Sequence, residues 1–278
     1  MRLDTGVYLY KFTNNFRHAI TLLRIERNCL VNEKLISYGD SHVCLSGGAE
    51  GADLQWGMVA GSVGHIVHHW SFAGHKSKAP KEEIAVLTQE QLNTADVHLA
   101  LAAKTLKRYW PPQKEFVRNL LRRNWFQVCE SESLYAVSTL NKVDSLERIP
   151  LDTQVKATVA GGTGWAVEMF LNKYNREACK CFVFDQDACS WFEWIGNGVW
   201  SRIYEPPQPI GVWAGIGTRK LEVNGKMAIR VLLDYKPTLY SPDFHGDNYP
   251  WKKDHKYAKS LWRNPDYKIG KDEEISIC

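Results

Sequence analysis

The stretch Ser46-Gly47-Gly48-Ala49-Glu50-Gly51-Ala52-Asp53 decides the fold of this 278-residue chain. A short apolar run, 42–45, precedes it, and a helix-like run, 54–60, follows it. A strand, a glycine turn and a helix in this order are how α/β proteins hold phosphate, because glycine lets the backbone approach the anion and the helix N-terminus supplies free N–H groups. The stretch therefore predicts an α/β fold with an anion site at this junction.

Two further glycine turns repeat the pattern. Residues 160–168 follow an apolar run at 155–159 and open a second helix-like run, and residues 214–219 follow a third apolar stretch. Because ligands of parallel sheets bind beyond the carboxyl ends of the strands, we predict that the turns meet at one cleft. The glycines expected there are Gly47, Gly48, Gly51, Gly161, Gly162, Gly164 and Gly217.

The composition excludes several classes of protein. Net charge is only +4, with no concentrated basic stripe, which argues against a nucleic-acid partner. No apolar run is long enough to cross a membrane, and the N-terminus lacks the apolar core of a signal peptide. We therefore expect a cytoplasmic protein with no membrane partner.

Seven cysteines are present, an odd number with irregular spacing. Cys179, Cys181 and Cys189 lie close enough in sequence to hold a metal, but no second pair or histidine cluster completes a zinc set. Buried reduced thiols are the alternative. We expect no metal and no cofactor.

Alternating strand-like and helix-like segments imply right-handed βαβ units and a mostly parallel sheet. We predict a Rossmann-like three-layer domain over residues 1–235 and an aromatic-rich C-terminal extension, 236–278, wrapped on the core. The strands are expected at 7–12, 43–45, 65–72, 133–139 and 180–185, with a hairpin at 190–203. The helices are expected at 15–35, at 88–106 with Thr88 as N-cap, and at 114–125.

These motifs resemble the SLOG superfamily, the Rossmann-like group that contains DprA and the LOG phosphoribohydrolases, and in particular its uncharacterised phage-type members. Those members pair the first turn with an Arg-Asn-x-x-Gln segment, found here at 123–127, and with counterparts of the other two turns. The resemblance covers roughly residues 40–220. One feature departs from it: in the family the turn at 214–219 comes first, whereas here it comes last, as if permuted.

The resemblance implies a nucleotide or nucleoside phosphate as ligand, and a homodimer, since SLOG relatives commonly form dimers. The ligand-binding residues that it implies are Ser46, Gly47, Gly48, Gly51, Asp53, Gly161, Gly162, Thr163, Gly164, Gly217, Thr218 and Arg219. Asp53 is expected either to bind a ribose hydroxyl or to complement the charge of the helix start.

The second turn also resembles the LOG signature Pro-Gly-Gly-x-Gly-Thr-x-x-Glu, with Ala160 and Trp165 in place of its proline and threonine. In LOG enzymes the glutamate acts in cleaving the bond between base and ribose. By resemblance, Glu168 is the catalytic carboxylate and Arg123 its partner on the phosphate. The alternative for Glu168 is a solvated helix glutamate.

Three functions follow as hypotheses. The first is an enzyme that hydrolyses or transfers at the N-glycosidic bond of a nucleotide. The second is a non-catalytic protein that senses or sequesters a nucleotide such as ADP-ribose or an NAD derivative. The third and weakest is single-stranded DNA binding, as in DprA.

Overall fold

The computed structural model describes residues 41–141 and 150–233. The strand expected at 7–12, the helix at 15–35 and the extension at 236–278 lie outside these residues. The helices are α1 Ala52–Ser62, α2 Gln89–Asn93, α3 Asp96–Leu106, α4 Glu115–Val128, α5 Thr163–Lys173 and α6 Val223–Leu232. The strands are β1 Val43–Ser46, β2 Ile66–Phe72, β3 Ile84–Leu87, β4 Ser133–Ser138, β5 Leu140–Asn141, β6 Gln154–Lys156, β7 Thr158–Val159, β8 Cys181–Asp185, β9 Ser190–Gly196, β10 Val199–Ile203 and β11 Val212–Gly217.

A nine-stranded sheet organises the described residues, in the order β3-β2-β1-β11-β4-β8-β9-β10-β6. The six strands from β3 to β8 are parallel. The hairpin of β9 and β10, together with β6, adds an antiparallel margin to this sheet. The α/β class and the mostly parallel sheet are thus confirmed, and the predicted hairpin forms part of the sheet.

Helices cover both faces of the sheet because its central strands are apolar on both sides. In β4, Leu134 and Ala136 pack into a core formed with α2, α3, α4 and α5. The alternate residues Tyr135 and Val137 pack into a second core with α1 and α6. Successive side chains of a strand point to opposite faces, so one continuous apolar strand joins two cores and gives three layers.

The last described strand, β11, lies in the centre of the sheet. It pairs with β1 on one side, with Cys44 opposite Trp213, and with β4 on the other, with Val137 opposite Gly217. All three strands are parallel, so their carboxyl ends meet at one edge. The third glycine turn, although last in sequence, therefore lies between the first turn and the end of β4.

The second glycine turn reaches that edge by a route that the sequence did not indicate. The apolar run at 155–159 is not a strand of the parallel core: β6 pairs with β10 at the far margin, and β7 pairs with β5 in a separate two-stranded sheet. The Ala160 N–H donates to the Thr139 carbonyl at 2.9 Å. This bond returns the chain to the end of β4, so the turn follows β4 in space.

The helix predicted at 88–106 is interrupted. Its Thr88 cap is confirmed, with the Thr88 side chain accepting from the Gln91 N–H in a capping box. The chain then turns at Thr94 and Ala95 before α3 begins. Periodic apolar residues continue through the break, which is why the pattern alone predicted one helix.

Candidate functional site

A cavity of about 490 Å³ opens where β1, β11 and β4 end. All three glycine turns and one face of α4 contribute to its wall. The polar and glycine residues that line it are Glu50, Asp53, Arg123, Asn124, Gln127, Ser138, Thr139, Gly161, Gly162, Thr163, Gly217, Thr218 and Arg219. Strands that end together beside helix N-termini are the usual ligand site of such folds.

The second turn offers the most open backbone of this wall. A side chain added at Gly161 or Gly162 would meet no heavy atom within 4 Å. Gly161 has a φ of 61°, which favours glycine. Within the described residues, the N–H groups of Gly161, Gly162 and Thr163 have no hydrogen-bond partner. Three donors without partners at the N-terminus of a helix are an arrangement that suits an anion.

Asp53 joins the first turn to the third turn and to α4. Its Oδ1 accepts from the Gly217 N–H at 3.0 Å. Its Oδ2 accepts from Arg123 Nη1 at 2.9 Å and from Gln127 Nε2 at 3.3 Å. Asp53 thus links the first turn, the third turn and α4, while it also lines the cavity.

The glycines of the first turn are packed against the protein. A side chain at Gly47 would collide with Arg123 and Asp53, and one at Gly51 would collide with the backbone of Thr218 and Arg219. Gly48, at a φ of 59°, would collide with Ser77. None of the three glycines is among the residues that line the cavity. Their small size lets the first turn approach α4 and the third turn closely.

Two other expected ligand residues also act within the protein. The buried Ser46 hydroxyl lies 2.5 Å from the Gly215 carbonyl and 2.9 Å from the Asp53 carbonyl, so it ties β1 to β11. Gly164 packs against the Val159 carbonyl. Neither residue lines the cavity, so both contribute by packing beneath the residues that do.

One face of α4 supplies side chains to both sides of the cavity. Arg123 is only 4% exposed, and its Nε has no hydrogen-bond partner within the described residues. Asn124 donates to the Gly162 carbonyl at 3.3 Å. Asn124 and Gln127 belong to the Arg-Asn-x-x-Gln segment but are not among the site residues predicted from the sequence. The spacing of Gln127 from Arg123, at i+4 of a helix, would have placed it on the same face, whereas Asn124, at i+1, lies about 100° around the helix.

The third turn brings a cation to the rim. Gly217, Thr218 and Arg219 all line the cavity, as predicted from the sequence. Arg219 is exposed and forms no salt bridge within residues 41–141 and 150–233. At the same rim Glu50 pairs with Lys78 at 3.2 Å, and both side chains are well solvated. Arg219 is therefore a cation that can reach an anion without breaking a protein contact.

The rest of the wall divides into hydroxyls and an apolar surface. Ser138 and Thr139 at the end of β4, with Thr163 on α5, have side-chain hydroxyls with no hydrogen-bond partner within the described residues. The apolar side consists of Val117, Leu120, Leu121, Ala166 and Ile216. Except for Thr163, these residues were not predicted as site residues, because isolated Ser, Thr and Leu carry no motif.

Glu168 lies away from the cavity. It is 4% exposed, is absent from the cavity wall and forms a salt bridge with Arg176. At about 100° of rotation per residue, two positions separate Glu168 from the cavity-lining Ala166 by about 200° around α5. The carboxylate therefore faces the opposite side of the helix, and it is neither solvated nor directed at the ligand site.

Two histidines near the site are held neutral. Burial, with a further contribution from Arg123, lowers the pKa of both His69 and His75 to about 4. His75 Nδ1 lies 3.0 Å from the Ser71 hydroxyl. At neutral pH these rings add no charge, which leaves Arg219 and the backbone as the groups available to an anion.

The thiols are distributed through the fold. In the described part of the chain, no group of three or more His, Cys, Asp or Glu residues could hold a metal ion. Within the described residues no disulfide joins the cysteines, which are Cys44, Cys129, Cys179, Cys181 and Cys189. Burial raises the pKa of the Cys179 thiol to about 12, so it stays protonated at neutral pH.

No helix of the described residues is long and apolar enough to span a membrane. Comparison with protein-family models, with curated proteins and with solved structures found no match to this chain.

Proposed function

We propose that the cavity binds a nucleotide or nucleoside phosphate, with the phosphate at the second glycine turn. The observation that carries the proposal is the set of three free N–H groups at Gly161, Gly162 and Thr163, which line the cavity at the start of α5. Arg219 supplies a positive charge at the same cavity. Backbone donors, a helix dipole and a guanidinium together suit a phosphoryl group.

The rest of the cavity suits a nucleoside. The surface formed by Val117, Leu120 and Leu121 offers an apolar wall to a base, and Ser138 and Thr139 offer hydroxyls to a sugar. Small-molecule sites usually combine a mostly apolar wall with a few polar groups that fix orientation. A volume of about 490 Å³ lies within the range of such sites.

Binding without chemistry is the function that this geometry supports best. The carboxylate expected to be catalytic, Glu168, pairs with Arg176, and Asp53 already accepts hydrogen bonds from Arg123, Gln127 and the Gly217 N–H. Hydrolysis of the N-glycosidic bond is the second candidate, and the observation that favours it is a further carboxylate, Glu50, on the cavity wall.

Gly162→Val tests the binding site directly. Gly162 has a φ of −68°, which valine can adopt, and open space where the side chain would go, so the variant is expected to fold. The valine would occupy the space of the phosphate. We expect isothermal titration with AMP, ADP-ribose and NAD to find a ligand for the wild type and at least tenfold weaker binding in the variant.

Gly61→Val is the matched control. Gly61 is an exposed residue near the end of α1, where the added side chain meets only Val67 at an ordinary 3.6 Å. Gly48→Val would be a poor probe, since a clash with Ser77 and a φ of 59° would disturb the fold itself. Unchanged affinity in a folded Gly162→Val protein would exclude the second turn as the phosphate site.

A base-release assay separates the two candidate functions. Wild-type protein is incubated with nucleoside monophosphates, NAD and ADP-ribose, and free base is measured by chromatography. Release that is lost in Glu50→Gln would establish hydrolysis. A tightly bound ligand that is never cleaved would establish binding alone.

A further inference from the structure

We propose that Arg108 is a positioning residue that holds the peptide plane after Gly161 so that the Gly162 N–H of the second glycine turn faces the cavity. The inference rests on the proposed function and adds a residue that no motif indicated. Arg108 does not line the cavity, so it acts on the ligand only through the turn.

The guanidinium of Arg108 holds two carbonyls of the turn. Its Nη1 donates to the Gly161 carbonyl at 2.7 Å, and its Nη2 donates to the Val159 carbonyl at 3.4 Å. A planar guanidinium presents its donors in a fixed fork, so it can fix two acceptors at once. The two peptide planes that follow Val159 and Gly161 are thereby held together.

Peptide geometry converts these contacts into a direction for the N–H groups. The only cis peptide bond among the described residues joins Trp110 and Pro111, so the peptides of the turn are trans. In a trans peptide the N–H points opposite to the C=O. The plane after Val159 sends the Ala160 N–H to the Thr139 carbonyl, at 2.9 Å, which anchors the turn on β4. The plane after Gly161 turns the Gly162 N–H away from Arg108, and Gly162 lines the cavity.

Within the described residues the peptide plane after Gly161 has no other hydrogen bond, whereas its neighbours are held: the Ala160 carbonyl accepts from the Gly164 N–H and the Gly162 carbonyl from the Trp165 N–H, each at 3.1 Å. Gly161 and Gly162 lack side chains, and a side chain built at either would meet nothing within 4 Å. Asn124 holds the next carbonyl, that of Gly162, at a longer 3.3 Å. Without Arg108, the peptide plane between Gly161 and Gly162 would be free to rotate, since glycine restricts φ and ψ least.

Arg108 itself is placed by the end of α3. Lys107 ends that helix in the left-handed conformation, with a φ of 53°, and the Arg108 N–H donates to the Ala103 carbonyl at 3.0 Å. The two hydrogen bonds of Arg108 thus connect the second glycine turn to the segment between α3 and α4.

Arg118 offers a matched control for removal of the Arg108 hydrogen bonds. Its guanidinium also bonds two backbone carbonyls, those of Pro112 and Gln113, at 3.1 and 3.2 Å, and neither residue lines the cavity. Arg108→Met and Arg118→Met therefore remove the same kind of interaction and the same charge. Arg108→Lys keeps the charge but loses the fork, which separates positioning from electrostatic attraction.

The experiment measures binding of inorganic phosphate, AMP and adenosine to the full chain by isothermal titration. We expect Arg108→Met to weaken phosphate and AMP about tenfold with adenosine unchanged, Arg118→Met to stay within about twofold, and Arg108→Lys to remain at least about threefold weaker than wild type. Equal affinities in Arg108→Met and Arg118→Met, or full recovery in Arg108→Lys, would overturn the inference while the proposed function stands. If the wild type binds neither phosphate nor AMP, both fail. If Arg108→Met does not fold, the Arg108→Lys result decides.

Discussion

Asp53 and Arg123 are a buried ion pair at the base of the cavity, with side chains 10% and 5% exposed. Desolvating two charges is costly, and the pair is stable because each partner has further contacts. Asp53 also accepts from Gln127 and from the Gly217 N–H. If one partner is removed, the other is left as an uncompensated charge in a region with little water.

Asp53→Ala is therefore expected to lower the free energy of unfolding by about 3 kcal/mol. Glu222→Ala is the control, because Glu222 pairs with Lys220 and the two side chains are 44% and 89% exposed, so it should cost less than about 1 kcal/mol. Urea unfolding measures both. Adding Arg123→Met to Asp53→Ala should recover part of the loss, since the unpaired cation is gone. An equal loss of unfolding free energy in the two alanine variants would contradict the inference that Asp53 stabilises the contacts among the first turn, the third turn and α4.

At the scale of the element, α5 has two faces with separate tasks. Thr163 and Ala166 line the cavity, whereas Glu168 pairs with Arg176 on the other side. Arg176 also stacks on Trp194, with its guanidinium carbon 5.1 Å from the ring centroid. The Glu168 face thus fixes α5 to the chain that follows it, while the first turn of the helix lines the cavity.

Glu168→Gln is expected to affect stability and not binding. Loss of the charge partner of Arg176 should lower the free energy of unfolding by about 1–2 kcal/mol, while AMP affinity changes less than about twofold. Glu50→Gln is the control of the same type, because the Glu50–Lys78 pair is solvated and should contribute almost nothing to stability. A folded Glu168→Gln protein that keeps its stability but binds AMP tenfold more weakly would contradict this expectation and indicate that Glu168 acts on the ligand.

The sequence predicted elements better than it predicted contacts. Local patterns located β4, β8 and the Thr88 cap, because apolar runs and capping residues act over a few positions. The destination of the run at 155–159 depends on pairing with β10 and β5, which no local pattern encodes.

The candidate site shows the same division. The Gly161–Thr163 turn was predicted to bind a ligand, and it lines the cavity. The glycines at 47, 48 and 51 carry the same local signal yet pack on Arg123, Ser77 and Arg219. Whether such a glycine lines the cavity or packs inside the protein depends on which residue from a distant part of the chain lies against it.

At the scale of the whole molecule, acid should destabilise the fold through its buried histidines. His69 and His75 have a pKa of about 4 in the folded protein, caused first by burial and then by Arg123. The unfolded chain binds protons at these rings below about pH 6.5. Between pH 6.5 and 4 the unfolded state therefore binds more protons, and stability falls as pH falls.

Urea unfolding between pH 7.5 and 4.5 measures this dependence. We expect the free energy of unfolding to decrease steadily below pH 6.5 in the wild type and less steeply in His75→Gln, which lacks one of the titrating groups. Burial raises the pKa of Asp185 and Glu83, which acts in the opposite direction at the acid end, so the difference between the two proteins is the informative quantity. Parallel curves would show that His75 does not contribute.

The central position of β11 has a consequence for synthesis on the ribosome. The Ser46 hydroxyl bonds the carbonyl of Gly215, which lies 169 positions later in the chain. This bond can form only after β11 has been synthesised. Until then β1 has no neighbour toward β4, and the nascent chain carries two half-sheets with unpaired edges. Such long-range pairing is slow and leaves edges open to wrong partners. We therefore expect the protein to need a chaperone more than a Rossmann domain whose central strand is translated first.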